Sequence, residues 1–423
     1  MNVDVKLTAA QFMTQETRND ANQRLTDLIS RHKSGFGLDG GFYTDPSIFA
    51  ADLEQVFRRH WHCVGHESII PNPGDFEQFK LGGESILLTR DRDGSVNALL
   101  NVCRHRGAKV CSEERGNRRV FVCPYHAWSY SNTGDLRSAR EMPADFDRKE
   151  YGLKKLNLEV VEGLVFVSFA SEPLDFQKAR DVVTSAFGPH GWGDAKVAHR
   201  ESYKITGNWK LAVENYVECY HCGPAHPEYS VVHSSGISPE ADKLAADAMQ
   251  DRARAMGIAI PEHDEWLGSD TGQEAARCFR YSLVEGAVSG TSTGAAAAPL
   301  MGSFETYDGG VTSVHIGGTS FFIGYPDYGV IYRFSPISVD ETEMELIWLV
   351  KSDAVEGRDY NVEELTWLWH VTSKADKKII ELAANGVCSR YFEPGPVSPM
   401  EPYQLKYTEW YLKELSLPEV SNS

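Results

Sequence analysis

A chain of 423 residues is long enough for two or three domains and a large core, and its 42% hydrophobic and 24% charged content is ordinary for a globular protein. A net charge of −18 argues against a nucleic-acid partner. No apolar run reaches the length of a membrane span, and the polar, mixed-charge stretch from Met1 to Asn22 lacks the basic and apolar regions of a signal peptide.

Residues 24 to 34 read as a short amphipathic helix. Asp45-Pro46 to His60 reads as another, with Phe49, Leu53, Val56 and Phe57 at helical spacing. From Cys63 the pattern turns to short strands broken at Asn72-Pro73-Gly74-Asp75, Leu81-Gly82-Gly83 and Arg92-Asp93-Gly94-Ser95. Strands Ser85–Thr89 and Val96–Asn101 lead into one loop and Val120–Val122 into a second. Glu159–Val161 and Leu164–Phe169 close a small β domain.

Beyond Ser171 the structure becomes mixed, with a strand at Glu201–Ile205, a helix from Trp209 to His221 and a polar, largely helical stretch from Pro239 to Ala276. Gly286 to Ala298, rich in Gly, Ser, Thr and Ala, reads as a mobile surface loop. Strands at Ser313–Ile316, Thr319–Ile323, Gly329–Ser335 and Glu343–Lys351 precede a long helix from Val362 to Asn385. That order predicts an α+β fold rather than a parallel α/β one. Neither an internal repeat nor a Gly-rich dinucleotide fingerprint is visible.

Two short clusters carry chemistry. In Cys103-Arg-His105, followed after seventeen residues by Cys123-Pro-Tyr-His126, each arm offers one thiolate and one imidazole. A zinc finger usually draws two cysteines from one arm and two histidines from the other. The mixed arms suit a Rieske [2Fe–2S] centre, in which one iron takes two Cys and the other two His; a Cys2His2 zinc site is the alternative. Gly107 and Pro124 permit tight loops, and Trp128 offers an apolar shield. Eight cysteines are scattered along the chain, and with two needed as thiolates a reducing cytosol is the expected compartment.

The second cluster is Glu218-Cys-Tyr-His221-Cys-Gly-Pro-Ala-His226. Residues five apart on a helix point about 140° away from each other. The two histidines therefore converge only if the helix stops, and Gly223-Pro224 is the expected stop. Two imidazoles with a carboxylate from elsewhere form the facial triad of a non-haem Fe(II) site. Asp376, on the partly apolar face of the last long helix, is the candidate carboxylate, with Glu364 and Glu381 as competitors.

On these motifs, together with Asn208-Trp209-Lys210 and Glu214-Asn215, the chain from about residue 40 onward resembles the Rieske non-haem iron oxygenases, large (alpha) catalytic subunit. The resemblance implies a small all-β Rieske domain (51–171) and a helix-grip catalytic domain (172–423), an antiparallel sheet over a long helix. It also implies an N-terminal segment (1–50) packed with the catalytic part. The implied cofactors are a [2Fe–2S] cluster on Cys103, His105, Cys123 and His126 and a mononuclear Fe(II) on His221, His226 and Asp376. Tyr125 stands where high-potential Rieske proteins carry a disulfide cysteine, which leaves Cys111 without a local partner and implies a lower potential.

Glu218 stands where ring-hydroxylating members carry the aspartate that bridges to a neighbouring subunit's Rieske histidine. Members acting on quaternary ammonium compounds carry glutamate there. With Leu300-Met301-Gly302 and Pro394-Gly395-Pro396-x-Ser398, the chain looks most like the glycine betaine and stachydrine demethylases. The resemblance thus implies a homotrimer, a separate NAD(P)H-dependent reductase, and N-demethylation with release of formaldehyde. Aromatic ring hydroxylation is the alternative, and a non-enzymatic electron carrier would lack the second iron. Tyr216, Tyr220 and Tyr229, with Trp367, Trp369, Tyr391 and Phe392, are candidates for an aromatic cage around a cationic head, Tyr216 first. Arg104, Arg106, Lys109, Arg115, Arg118 and Arg119 face only Glu113 and Glu114, a local positive excess suited to an acidic electron donor.

Overall fold

The computed structural model describes residues 15–233, 239–265 and 268–418. The chain opens with three helices, α1 (Gln15–Arg31), α2 (Gly41–Thr44) and α3 (Pro46–Asp52), the last running into a π-helical turn over Leu53–Phe57. Pro46 at the first turn and the Asp45 carboxylate, which accepts from Ser47 N (2.8 Å), start α3. The helix expected at 24–34 begins earlier and stops at Arg31.

Ten short strands follow: β1 (His62–His66), β2 (Asp75–Leu81), β3 (Glu84–Arg90), β4 (Val96–Leu100), β5 (Arg115–Asn117), β6 (Val120–Val122), β7 (Ser129–Ser131), β8 (Leu136–Ser138), β9 (Asn157–Val161) and β10 (Leu164–Ser168). They form antiparallel sheets in the orders β4-β3-β2-β5, β6-β7-β8 and β1-β10-β9. Phe76, Leu87, Leu99, Phe121, Trp128 and Tyr130 form their own buried core.

The second half is built on one seven-stranded antiparallel sheet in the order β11-β17-β16-β15-β14-β13-β12. Its strands are β11 (Ala195–Thr206), β12 (His263–Glu265), β13 (Ala276–Ser282), β14 (Gly310–Ile316), β15 (Ser320–Gly324), β16 (Gly329–Ser338) and β17 (Glu341–Lys351). Side chains alternate between its faces. Phe321, Ile323, Val330, Tyr332, Phe334 and Leu346 join the core shared with α5 (Trp209–Val217), α8 (Val362–Val387) and α9 (Pro402–Leu415). Phe322, Ile331, Ile347 and Leu349 join a second core against α4 (Gln177–Phe187) and β1-β10. Each such side chain contributes about 1.5–3 kcal/mol by leaving water. The α+β expectation holds, with α8 lying across one face of the sheet.

The N-terminal segment is fastened to this half by buried polar contacts. Asp52 accepts hydrogen bonds from Lys210 Nζ, from Trp209 Nε1 (3.0 Å) and from Tyr411 Oη (2.6 Å), and Tyr43 Oη donates to Glu214 (2.9 Å). His60 lies between two buried carboxylates, Glu274 (3.0 Å) and Glu414 (3.2 Å). Burial opposes its charge, but Glu274 and Glu414 outweigh that and raise its pKa to about 10.

Two expectations need correction. Helix α7 (Pro239–Ala255) fills only the front of the stretch to Ala276 and gives way to Gly257 at φ 75°; the chain then enters β12 and β13. The buried arginines 277 and 280 disguise β13 as polar in sequence. Gly286 to Ala298 is not a free loop. Buried Asp327 accepts from Ser289 Oγ and Ala297 N (both 2.7 Å), Tyr328 Oη donates to Gly290 O (2.8 Å), and Ser292 Oγ donates to Glu364 (2.7 Å). Among the described residues no helix is long and apolar enough to cross a membrane.

Candidate metal centres

The two loops of the β domain share one backbone design. Gly107 N donates to Cys103 O and Cys103 N to Ala108 O; Ala127 N donates to Cys123 O and Cys123 N to Trp128 O. The fourth residue after each cysteine, Gly107 (φ 74°) and Ala127 (φ 58°), takes the left-handed conformation that turns the loop back. Cys103 and Cys123 are buried, whereas His105 and His126 are exposed, their ring centroids 4.6 Å apart. Trp128 stacks on His105 at 4.9 Å and Tyr125 on His126 at 4.0 Å.

Cys103 Sγ lies 3.3 Å from Tyr130 Oη. Burial raises the Cys123 thiol, and neighbouring Cys103 adds to the effect, as expected of two sulfurs brought together for a shared metal group. Two thiolates inside and two imidazoles at the surface fit the donor set of a Rieske cluster. Cys111 is buried and unpaired, as its missing partner at Tyr125 implied. Arg104, Arg106, Lys109, Arg115 and Arg119 are exposed around these loops, while Arg118 pairs with Glu113.

The second cluster sits between α5 and α8. Asn208 caps α5 by accepting from Lys210 N (3.1 Å), and the helix ends when Glu218 turns extended (φ −124°, ψ 158°). The stop therefore precedes both histidines, contrary to the expectation placed on Gly223-Pro224. Those two residues lie inside a short turn of helix, α6 (Cys222–Ala225), which swings His226 back toward His221. The Glu218 carboxylate accepts from Tyr220 N (2.5 Å) and His221 N (3.3 Å), holding the turn, and touches His221 Nδ1 at 2.5 Å. A disulfide joins Cys219 to Cys222 across His221, a pairing that the C-x-x-C spacing could have signalled.

Asp376 Oδ1 on α8 lies 2.8 Å from His226 Nε2 and 3.3 Å from His221 Nε2. The three ligand atoms fall within 4.8 Å of one another. Burial raises the Asp376 carboxyl, but the two imidazoles outweigh it and hold it below the usual value; Asp376 and Glu218 likewise lift His221 to about 9 against its burial. The rival carboxylates are engaged elsewhere, Glu364 with Ser292 and Glu381 with Thr206 N (3.1 Å) and Lys377. This donor set fits a facial triad with open positions.

One carboxylate was not foreseen. Glu228 Oε1 lies 3.5 Å from His226 Nδ1, both atoms buried and otherwise without a hydrogen bond. Each histidine thus has a glutamate behind it, the arrangement that fixes a ligand's tautomer. An i, i+2 His–Glu pair was the available signal.

The aromatic candidates divide. Tyr216 packs against Phe321 (4.4 Å) and Tyr332 (5.0 Å), Tyr332 against Trp369 (5.8 Å), and Trp369 against Tyr229 (6.1 Å), making one wall beside the triad. Tyr220 and Tyr391 are 53% and 80% exposed and leave the wall, and Phe392 packs near Gly40 on the N-terminal segment.

The profile of the Rieske [2Fe-2S] domain matches residues 60–157, and that of the ring hydroxylating alpha subunit (catalytic domain) matches 192–416. The glycine betaine monooxygenase oxygenase subunit of Pseudomonas aeruginosa is 32% identical over 406 residues, 93% of this chain and 92% of that protein. The carnitine monooxygenase oxygenase subunit of Escherichia coli is 39% identical over 211 residues, 48% of this chain and 56% of its own length. Among solved structures, a quaternary ammonium Rieske monooxygenase, CntA, superimposes with a TM-score of 0.70 at 21% identity, covering 92% of this chain and 97% of the other.

Proposed function

This chain belongs to the Rieske non-haem iron oxygenases with a ring-hydroxylating-type alpha subunit, and from that premise we propose that it is the oxygenase component of a quaternary ammonium N-demethylase. The observation that carries the substrate class is the likeness over 93% of the chain to a glycine betaine monooxygenase oxygenase subunit. The aromatic wall is what the chemistry would require, since ring faces attract a cationic head by about 0.5–2 kcal/mol per contact. Tyr216 is the wall residue assigned to the substrate.

When bound, the two groups would supply electrons and dioxygen chemistry by which one oxygen atom hydroxylates an N-methyl carbon and the other, with two electrons and two protons, leaves as water. Cys103, Cys123, His105 and His126 would hold the cluster; His221, His226 and Asp376 would hold the mononuclear iron. The hydroxymethyl ammonium product loses its hydroxyl proton and splits into formaldehyde and the tertiary amine. Glu218 keeps a proton on His221 Nδ1, leaving Nε2 for the metal. In a head-to-tail homotrimer its carboxylate would also meet the partner subunit's His126, coupling two centres that belong to different chains. A separate NAD(P)H-dependent reductase in the cytoplasm would supply the electrons, docking on the arginines beside the loops.

The test is a panel of betaines, carnitine and aromatic acids with NADH and reductase, scored for formaldehyde and coupled oxygen uptake. Formaldehyde from a methylated amine is the expected result. A cis-diol or phenol from an aromatic acid, without formaldehyde, would instead establish the ring-hydroxylating alternative.

A further inference from the structure

One covalent bond stands beside the reaction site with no part in the chemistry above. Cys219 and Cys222 are joined, while Cys63, Cys103, Cys111, Cys123, Cys278 and Cys388 are free. The bond encloses His221, one of the three metal-triad residues, and its two ends differ. Cys219 is exposed, whereas Cys222 is buried at 6% exposure.

As a staple the bond is poorly placed. The entropy that a cross-link removes from the unfolded chain grows with the loop it closes, and this one spans a separation of three. The turn is also held without it. Glu218 accepts from Tyr220 N and from His221 N (3.3 Å), and Cys222 N donates to Cys219 O (3.2 Å).

What the bond does control is the relation between the two histidines. Cys222 opens α6, and its carbonyl accepts from His226 N (2.9 Å), while His221 O accepts from Ala225 N (3.0 Å). Tying Cys222 to Cys219 therefore fixes the backbone that presents both imidazoles to Asp376, which arrives separately on α8. With the bond closed, Asp376 Oδ1 lies 3.3 Å from His221 Nε2 and 2.8 Å from His226 Nε2. In a C-x-x-C pair with one outer and one inner sulfur, an incoming thiol attacks the outer sulfur and the inner one is released. Where thiols are kept reduced, such a bond is transient rather than structural.

We infer that Cys219–Cys222 is a reversible thiol–disulfide switch on the mononuclear metal site: closed, it holds His221 and His226 converged; open, it lets α6 move and the metal leave. Opening is a two-electron exchange with a low-molecular-weight thiol. The thiol sulfur bonds to Cys219 Sγ, the S–S bond breaks, and Cys222 leaves as a thiolate that takes up a proton. A second thiol then displaces Cys219 from the mixed disulfide, so two chain thiols and one small disulfide result. The reverse exchange with that disulfide closes the bond. The inference rests on the triad holding iron and is independent of which substrate is oxidised.

The test uses the assembled, iron-loaded protein, since Cys219 adjoins Glu218 at the proposed contact between subunits. It is equilibrated anaerobically in glutathione buffers of graded redox ratio. Free thiols are counted by alkylation and mass spectrometry, mononuclear iron loss is followed with a chelator, and amide exchange is read over residues 219–226. Reduction should yield two new thiols per chain, hasten iron loss about tenfold and quicken that exchange, with the cluster's visible spectrum unchanged. Cys219→Ser, altered at the exposed end, should lose iron at the rate of the reduced wild type in every buffer. A pair that stays oxidised against excess thiol, a pair that never oxidises, iron loss indifferent to its state, or a Cys219→Ser protein still sensitive to the buffer would each overturn the switch. Iron absent from the triad in both states would overturn the metal site and the switch with it, whatever the substrate panel shows.

Discussion

The two candidate metal centres are built in opposite ways. The loop centre buries its sulfurs and leaves both imidazoles at the surface, with exposed arginines around it. The triad buries His226, holds Asp376 mostly enclosed, and backs each histidine with a glutamate. The first arrangement serves a group that exchanges electrons with something outside the chain. The second serves chemistry from which water is largely kept out. The contrast teaches that exposure of the imidazoles, more than ligand identity, distinguishes the relay from the reaction site.

The sharpest way to break that contrast is Asp376→Ala. It should remove one iron per chain and lower activity by about a thousandfold or more, while the visible spectrum and EPR signal of the cluster stay intact. Loss of both signals would mean that the sites are not independent. Glu218→Gln should retain all the iron yet reduce coupled turnover by about 100-fold, with cluster reduction by the reductase unaffected; normal turnover would remove the proposed inter-subunit link. Glu228→Gln should weaken retention of the mononuclear iron about 10- to 100-fold against a chelator, leaving the cluster in place.

A smaller effect is expected on the loop side. Raising salt from low to physiological levels and above should slow cluster reduction several-fold by screening the arginines from an acidic donor, without altering substrate affinity. A rate independent of salt would remove the docking surface.

The last difference concerns the scaffold. His60, just ahead of β1, ties that part of the chain to the catalytic half, between Glu274 and Glu414. Its folded pKa of about 10 lies above the ordinary 6.5, so its stabilisation is complete below about pH 6.5 and is lost as pH rises through about 10. Thermal unfolding of the catalytic half should fall by a few degrees between pH 7 and 10. The slope should vanish in His60→Gln, at a cost of roughly 3 kcal/mol at neutral pH.

What could be read from the chain depended on how local the signal was. The loop centre is two short motifs, each complete within four residues, and the strand Val120–Val122 leading into it was located to the residue. The triad was half local. His221 and His226 announce themselves, but Asp376 lies 150 residues from His226; the residues alone left Glu364 and Glu381 as rivals, the family resemblance favoured Asp376, and the hydrogen bonds of the rivals show them engaged elsewhere. Arg277 was hidden because a charged residue in an alternating run argues against a buried strand. The Gly286–Ala298 segment misled for the opposite reason: small residues that suggest freedom were chosen so that Asp327 and Tyr328 could approach the backbone. Helices α4 and α9 have no clear sequence signal, although the aromatic residues of α9 join the buried core shared with α5 and α8.

The most direct measurement is metal and sulfide analysis with EPR on protein purified anaerobically after full iron loading. Three irons and two sulfides per chain are predicted, in brown protein that gives a His-ligated cluster signal when reduced. Colourless protein holding zinc on Cys103, His105, Cys123 and His126 would contradict the account.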